Sequence, residues 1–226
     1  MNYKPIIIVL GEPYSVFTEI FFKAYKKIRA NKILKSPIIL IGSVNLLLKH
    51  MKYFKFNFEI NIILSSQINL VKNNKKINII DISFKQKKIF EKDNKYSNKY
   101  IESSFNLGIK LMLKENCLGF INGPISKSKF LKKKYEGITE YIATKTNSKN
   151  VSMLIYNKDL STSPITTHIP IRKVPNKISK NLIIKKILLL NFFYKKRLKF
   201  KPKIAILGLN PHCETNDNFS EEKEII

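Results

Sequence analysis

Only three histidines occur in the 226-residue chain, and two of them stand in short proline-containing turns. These turns are Thr166-Thr167-His168-Ile169-Pro170 and Asn210-Pro211-His212-Cys213-Glu214, each placed after a run of strand type. Such turns can aim imidazoles into a shared cleft, and imidazole is the commonest metal ligand. His168 and His212 are therefore candidate ligands of one divalent ion, although a single turn histidine serves as readily as a cap or a surface group. The third histidine, His50, follows Leu46-Leu47-Leu48 near the end of a helical stretch, where the helix C-terminus favours a cation. A further segment, Asn122-Gly123-Pro124-Ile125-Ser126-Lys127, closes another strand run. Its backbone amides and Lys127 could hold an anion such as phosphate. A Gly-Pro turn leading into a Ser-capped helix reads the same residues equally well.

The elements that must position these groups follow from hydrophobic spacing. Pro5 to Leu10 is a β-branched run ending at Gly11, and Pro37 to Ile41 is a second ending at Gly42. Both read as buried parallel strands. Ser15 to Arg29 carries Val16, Ile20, Phe21, Ala24, Tyr25 and Ile28 at helical spacing, with Ser15 placed to cap it. Ser43 opens a second helix. Strands are also predicted over 58–64, 77–82 and 117–121, with a helix over 96–114 between the last two. Residues 151–156 and 161–166 read as strands paired through the Asn157-Lys158-Asp159 turn. A helix is predicted over 174–193 and a strand over 203–207. Alternating strands and helices with glycine turns give an α/β fold with a mostly parallel sheet flanked by helices. Ligands of such sheets gather at the C-terminal strand edge. That edge is expected to collect residues 11–13, 122–127, 166–170 and 208–214.

Composition narrows the classes. Two cysteines cannot build a disulfide framework, and no apolar run approaches the roughly 20 residues of a membrane helix. No signal-peptide pattern opens the chain, so a cytoplasmic protein without membrane association is expected. Forty-two Lys and Arg against 16 Asp and Glu give a net charge of +26, which raises a nucleic-acid hypothesis. Only Arg29, Arg172 and Arg197 are arginines, however, and nucleic-acid readers favour arginine for bidentate contacts. The lysines are scattered, and Lys, Ile and Asn together reflect AT-rich codons. A nucleic-acid partner is therefore disfavoured.

Taken in order, Asn122-Gly123-Pro124-Ile125-Ser126-Lys127, Gly137-Ile138-Thr139-Glu140, Thr166-Thr167-His168-Ile169-Pro170 and Gly208-Leu209-Asn210-Pro211-His212 resemble the 4-hydroxythreonine-4-phosphate dehydrogenase family of vitamin B6 synthesis. Gly11-Glu12-Pro13 looks like a worn form of that family's Gly-Asp-Pro loop, and Ser220-Glu221-Glu222 sits where the family has Phe-Gly-x-Glu-Glu. The resemblance implies an isocitrate and isopropylmalate dehydrogenase-like fold, acting as a homodimer. It implies NAD-dependent oxidation of 4-phosphooxy-L-threonine to 2-amino-3-oxo-4-phosphooxybutanoate, which loses carbon dioxide to give 3-amino-2-oxopropyl phosphate. It also implies a divalent metal (Zn, Mg or Co) with His168 and His212 as two of three histidine ligands. Thr139 then contacts substrate, with Lys127 near by.

The chain departs from the family at several points. Ile138 stands where the family has a substrate-facing histidine, and Cys213-Glu214-Thr215-Asn216-Asp217 replaces a glycine-rich stretch. Ser220 to Lys223 reads as a helix start close to the last residue, so residues 1–226 are expected to form an incomplete dehydrogenase region, of one or two α/β lobes without a clear linker and with its C-terminal part missing. The third metal ligand and the NAD-contacting residues are then not among these residues. Three alternatives stay open: a related dehydrogenase for another phosphorylated hydroxy acid, an inactive remnant, and a basic nucleic-acid-binding protein.

Overall fold

The isoleucine-rich runs near the N-terminus become the centre of a parallel sheet. In a computed structural model, which describes residues 3–31, 34–73, 75–86, 88–90, 95–114, 117–132, 134–210, 212–213, 218 and 220–226, the chain divides into two compact units, 1–138 and 139–226. The first unit holds β1 (Ile6–Val9), α1 (Phe17–Asn31), β2 (Ile38–Gly42), α2 (Val44–Tyr53), β3 (Ile60–Ile62), β4 (Ile77–Asp81), α3 (Ser97–Lys114) and β5 (Gly119–Asn122). The sheet order is β3-β4-β2-β1-β5, with every pair parallel.

A parallel sheet must be covered on both faces, because its crossovers are helices. On one face Ile8, Leu10, Leu40, Ile77 and Ile79 pack with Phe21, Phe22 and Tyr25 of α1 and Leu47 and Met51 of α2. Against the other, Val9 and Ile41 meet α3 at Gly108. Helix starts match their caps: the Ser15 hydroxyl accepts from the Phe17 amide, and the Ser43 hydroxyl from the Leu46 amide. The strand order switches sides at β1, with β2 on one side of it and β5 on the other. Neighbouring strands whose loops leave toward opposite faces open a crevice at their C-terminal ends.

His50 departs from its sequence reading. It is not an exposed cation at a helix end; it is buried, 1% exposed, with Phe90 stacked on its ring and Phe54 edge-on. The Thr18 hydroxyl and His50 Nδ1 share a hydrogen bond of 2.6 Å, while Nε2 has no partner among the described residues. Burial lowers its pKa to about 4, so the ring is neutral. The helix-end argument fails because the α1–α2 contact removes the water that the charged form needs. The sign of the linkage follows from a folded pKa below the unfolded one. The contribution is complete above pH 6.5 and is lost as pH falls toward 4, because protonation then favours the unfolded chain. Acid titration of thermal stability should show a loss of about 3 kcal/mol in that window. His50→Leu should flatten it; an unchanged slope would refute the assignment.

The second unit holds α4 (Ile138–Lys145, which begins at the boundary), α5 (Lys180–Phe193) and α6 (Glu221–Glu224). Here the sequence-based elements are only partly realised. The predicted 151–156 and 161–166 pair shrinks to one antiparallel bridge, Ile155 with Thr162, closed by Asn157 and Ser161. The predicted helix over 174–193 begins only at Lys180, where the Ser179 hydroxyl accepts from the Leu182 amide. Single 3-10 turns over Ile171–Lys173 and Pro175–Lys177 precede it, the second led by Pro175. Residues 203–207 are not a strand, because no described neighbour pairs with them. Helix α4 is absent from the sequence reading, since its eight residues alternate too irregularly to show an apolar stripe.

Candidate functional site

Two of the four segments expected at one strand edge do meet there. Gly11-Glu12-Pro13 follows β1 and residues 122–127 follow β5, on neighbouring strands. The Glu12 amide donates to the Pro124 carbonyl at 2.8 Å, and the Ser126 amide donates to Glu12 Oε2 at 3.1 Å. Gly11 permits this approach with φ +73°. A side-chain carbon there would lie 2.5 Å from the Pro124 oxygen, and one on Gly123 would lie 2.2 Å from the Leu10 oxygen. Glu12 is 7% exposed, and burial raises its pKa against the opposing bonds from Ser126 and Tyr14 and the nearby Lys129.

These bonds correct the phosphate-cradle reading of 122–127. The Ser126 amide is already taken by the Glu12 carboxylate, and the Ser126 hydroxyl accepts from the Lys129 amide. The capped-turn reading therefore holds for the backbone, with a π-helical turn over Lys127–Leu131. Lys127 itself is exposed, so its ammonium stays available to an anion from solvent. Sequence reasoning missed the role of Glu12. A single acidic residue directly after a buried strand and its glycine was the available signal.

Ile138 and Thr139 open α4, both half-buried. The side chain at 138 is apolar, so it offers no hydrogen bond where the family pattern has an imidazole.

The two histidine turns belong to the second unit, and neither follows a strand of the five-stranded sheet. The expectation of one shared sheet edge fails for them because 161–166 and 203–207 build no ladder. Both imidazoles are exposed. His168 has φ +56° and Cys213, next to His212, has φ +54°. A left-handed backbone at a non-glycine residue is uncommon and marks a turn that its surroundings hold in place.

The His212 turn has visible supports. Glu222 Oε1 of α6 accepts from the Leu209 and Asn210 amides at 3.0 Å each, and Asn210 Oδ1 accepts from the His212 amide at 3.0 Å. The backbone bond from Asn210 leads in holding the Glu222 carboxyl below its ordinary pKa. This grip is present above about pH 4.5 and weakens as the carboxyl protonates below it. Glu222→Ala should therefore speed amide exchange at Leu209 and Asn210 at neutral pH and leave α1 and α3 untouched. Unchanged exchange at those two amides would show that α6 does not hold the turn.

Exposed imidazoles suit a divalent cation in kind. They do not make a complete ligand set, because among the described residues no three His, Cys, Asp or Glu side chains come together to hold a metal. Glu214 to Asp217 lie outside the described residues. No helix of the described residues is long and apolar enough to cross a membrane.

Comparison with known proteins places this geometry. The profile for pyridoxal phosphate biosynthetic protein PdxA matches residues 34–226. The 4-hydroxythreonine-4-phosphate dehydrogenase of Sulfurihydrogenibium sp. is 33% identical over 98% of this chain and 67% of its own length. The D-threonate 4-phosphate dehydrogenase of Salmonella typhimurium is 26% identical over 99% of this chain and 68% of its own. A crystal structure of a 4-hydroxythreonine-4-phosphate dehydrogenase from Burkholderia phymatum shares the fold, with TM-score 0.80 at 22% identity over all of this chain and 69% of that one. The chain thus spans about two thirds of the length of these relatives.

Proposed function

Because the chain belongs to the pyridoxal phosphate biosynthetic protein PdxA family, we propose that it acts in the NAD-dependent, divalent-metal-assisted oxidation of 4-phosphooxy-L-threonine, in vitamin B6 synthesis. The observation that carries this reading is similarity along nearly the whole chain to a dehydrogenase of that name, with both turn histidines present and exposed. The reaction moves a hydride from the substrate's secondary alcohol carbon to NAD and releases the hydroxyl proton. The resulting β-keto acid then loses carbon dioxide.

The chain's own residues have separate parts in this reading. His168 and His212 contribute two imidazole nitrogens for the cation. A bound cation would supply Lewis-acid lowering of the alcohol's pKa, and NAD would serve as the hydride acceptor. Lys127 offers a point charge to an anionic substrate group, and Thr139 offers a hydroxyl from the first turn of α4. Glu12 fixes the loop that carries Lys127. The protein works as a homodimer.

A second reading keeps the chemistry and changes the substrate to another phosphorylated hydroxy acid, such as D-threonate 4-phosphate. Ile138 favours it, since an apolar side chain there removes a donor toward the substrate. A fusion of this chain to the remaining third of the Sulfurihydrogenibium relative separates the two readings. With 4-phosphooxy-L-threonine and D-threonate 4-phosphate assayed side by side, the first should show the higher kcat/KM. A reversed preference selects the second reading, and no NADH from either would reject both.

A further inference from the structure

A cavity of about 270 Å³ opens at the N-terminal edge of the sheet, away from the β1 and β5 loops. Its walls come from the last turn of α1, the segment entering β2 and the loop entering β4. Strands rise about 3.3 Å per residue, so the length of β2 sets it roughly 13 Å from the opposite edge. Long-range hydrogen bonds join the three walls. The Tyr25 hydroxyl donates to the Lys76 carbonyl at 2.8 Å, Arg29 Nη1 donates to Asn73 Oδ1 at 3.2 Å, and Asn73 Nδ2 donates to the Leu34 carbonyl at 2.6 Å. The cavity is therefore built into the fold and is not a gap between loose loops. Ile28, Leu34 and Ile38 give it an apolar wall. Arg29 and Lys75 bring two positive charges to it, and no carboxylate is among its described lining. Ser36 lines it as well. That residue is 8% exposed, and its hydroxyl has no partner among the described residues.

We propose that this cavity binds a small organic phosphate, a monoester whose apolar group is one ring or a short chain. The inference goes beyond the proposed oxidation and does not rest on it. Charge selects the phosphate. A phosphate monoester carries about −1.5 to −2 at neutral pH, which two cations balance, whereas a carboxylate carries a single charge. The Arg29 guanidinium supplies a planar fork of donors for phosphate oxygens, Lys75 a mobile point charge and Ser36 a hydroxyl. Asn73 orients the guanidinium without cancelling its charge, because an amide is neutral. The C-terminal carbonyls of α1 oppose an anion with about half a charge, against the two full positive charges beside them. Size and lining select the rest of the ligand. Ligand cavities usually run from about 300 to 1,000 Å³, so this one suits a group no larger than a single ring. The apolar wall rewards an ester group that inorganic phosphate lacks.

The test titrates the 226-residue chain with phenyl phosphate, inorganic phosphate and benzoate, followed by calorimetry and by amide NMR shifts. Phenyl phosphate is expected to bind one-to-one, at least about ten-fold tighter than either other probe, with the largest shifts around Ser36 and Lys75. Arg29→Gln and Lys75→Gln should each weaken it by at least about ten-fold. Lys75 is exposed, so its substitution leaves the fold intact and keeps the test decisive even where Arg29→Gln disturbs α1. Lys110→Gln, which removes an exposed charge from α3, should leave the affinity unchanged. Equal weakening by Lys110→Gln would mean that net charge alone attracts the anion. That result would overturn the proposal, as would unsaturated binding, equal affinity for inorganic phosphate or benzoate, or shifts centred on Lys127. NADH formation is not read, so failure here is distinct from failure of the functional reading.

Discussion

Gly123→Ala is expected to destabilise the first unit by more than about 3 kcal/mol, a large part of the 5–15 kcal/mol that usually holds a domain together. A methyl group at this position would lie 2.2 Å from the Leu10 carbonyl oxygen, and both partners are backbone at the ends of paired strands. Neither can move without opening the β1–β5 ladder. Gly11→Ala should cost a comparable amount, since it adds a left-handed φ to a 2.5 Å approach to the Pro124 oxygen. Gly119→Ala is the control, because open space surrounds that position. Denaturant titration decides the matter. Equal midpoints for the three variants would mean that the β1 and β5 loops are not locked together.

The second large effect falls on catalysis. In the fusion that restores the relatives' full length, His168→Ala and His212→Ala should each lower kcat/KM by at least about 100-fold, the scale on which even the outer partners of metal ligands act. Metal content per chain should fall in parallel. Folding should hardly change, because both side chains are exposed and surface substitutions usually stay within about 0.5 kcal/mol. A variant that keeps its metal and loses activity would assign that histidine a different role.

How far the sequence carried depended on how much of each element's partner it contained. β1, β2 and α3 were legible because an Ile-rich run and an apolar helix stripe need only each other, and all lie within 1–138. Residues 203–207 have the same strand chemistry but no described neighbour, so the pattern was real and the ladder did not form. His50 misled for the opposite reason. Its helix-end position was read correctly, but burial beneath Phe54 and Phe90 depends on contacts that residue spacing does not encode. The site shows the same division. The four segments expected at one strand edge were visible in order, and the structure joined 11–13 to 122–127 through Glu12. The glutamate clamp itself was invisible because its partner, Ser126, lies 114 residues away. Glu222 is a similar case, since its grip on Leu209 and Asn210 depends on α6 folding back across a turn.

The most direct test of the central claim is NADH formation from 4-phosphooxy-L-threonine by the fused protein, measured with and without a chelator. Metal-dependent turnover within the ordinary range of roughly 1–10³ per second is the predicted result, lost on chelation and restored by zinc, magnesium or cobalt. The 226-residue chain assayed alone should give little or none, because its described residues bring no three metal-ligating side chains together. A folded fusion that binds substrate and cation yet forms no NADH would contradict the assignment of this chain to that oxidation.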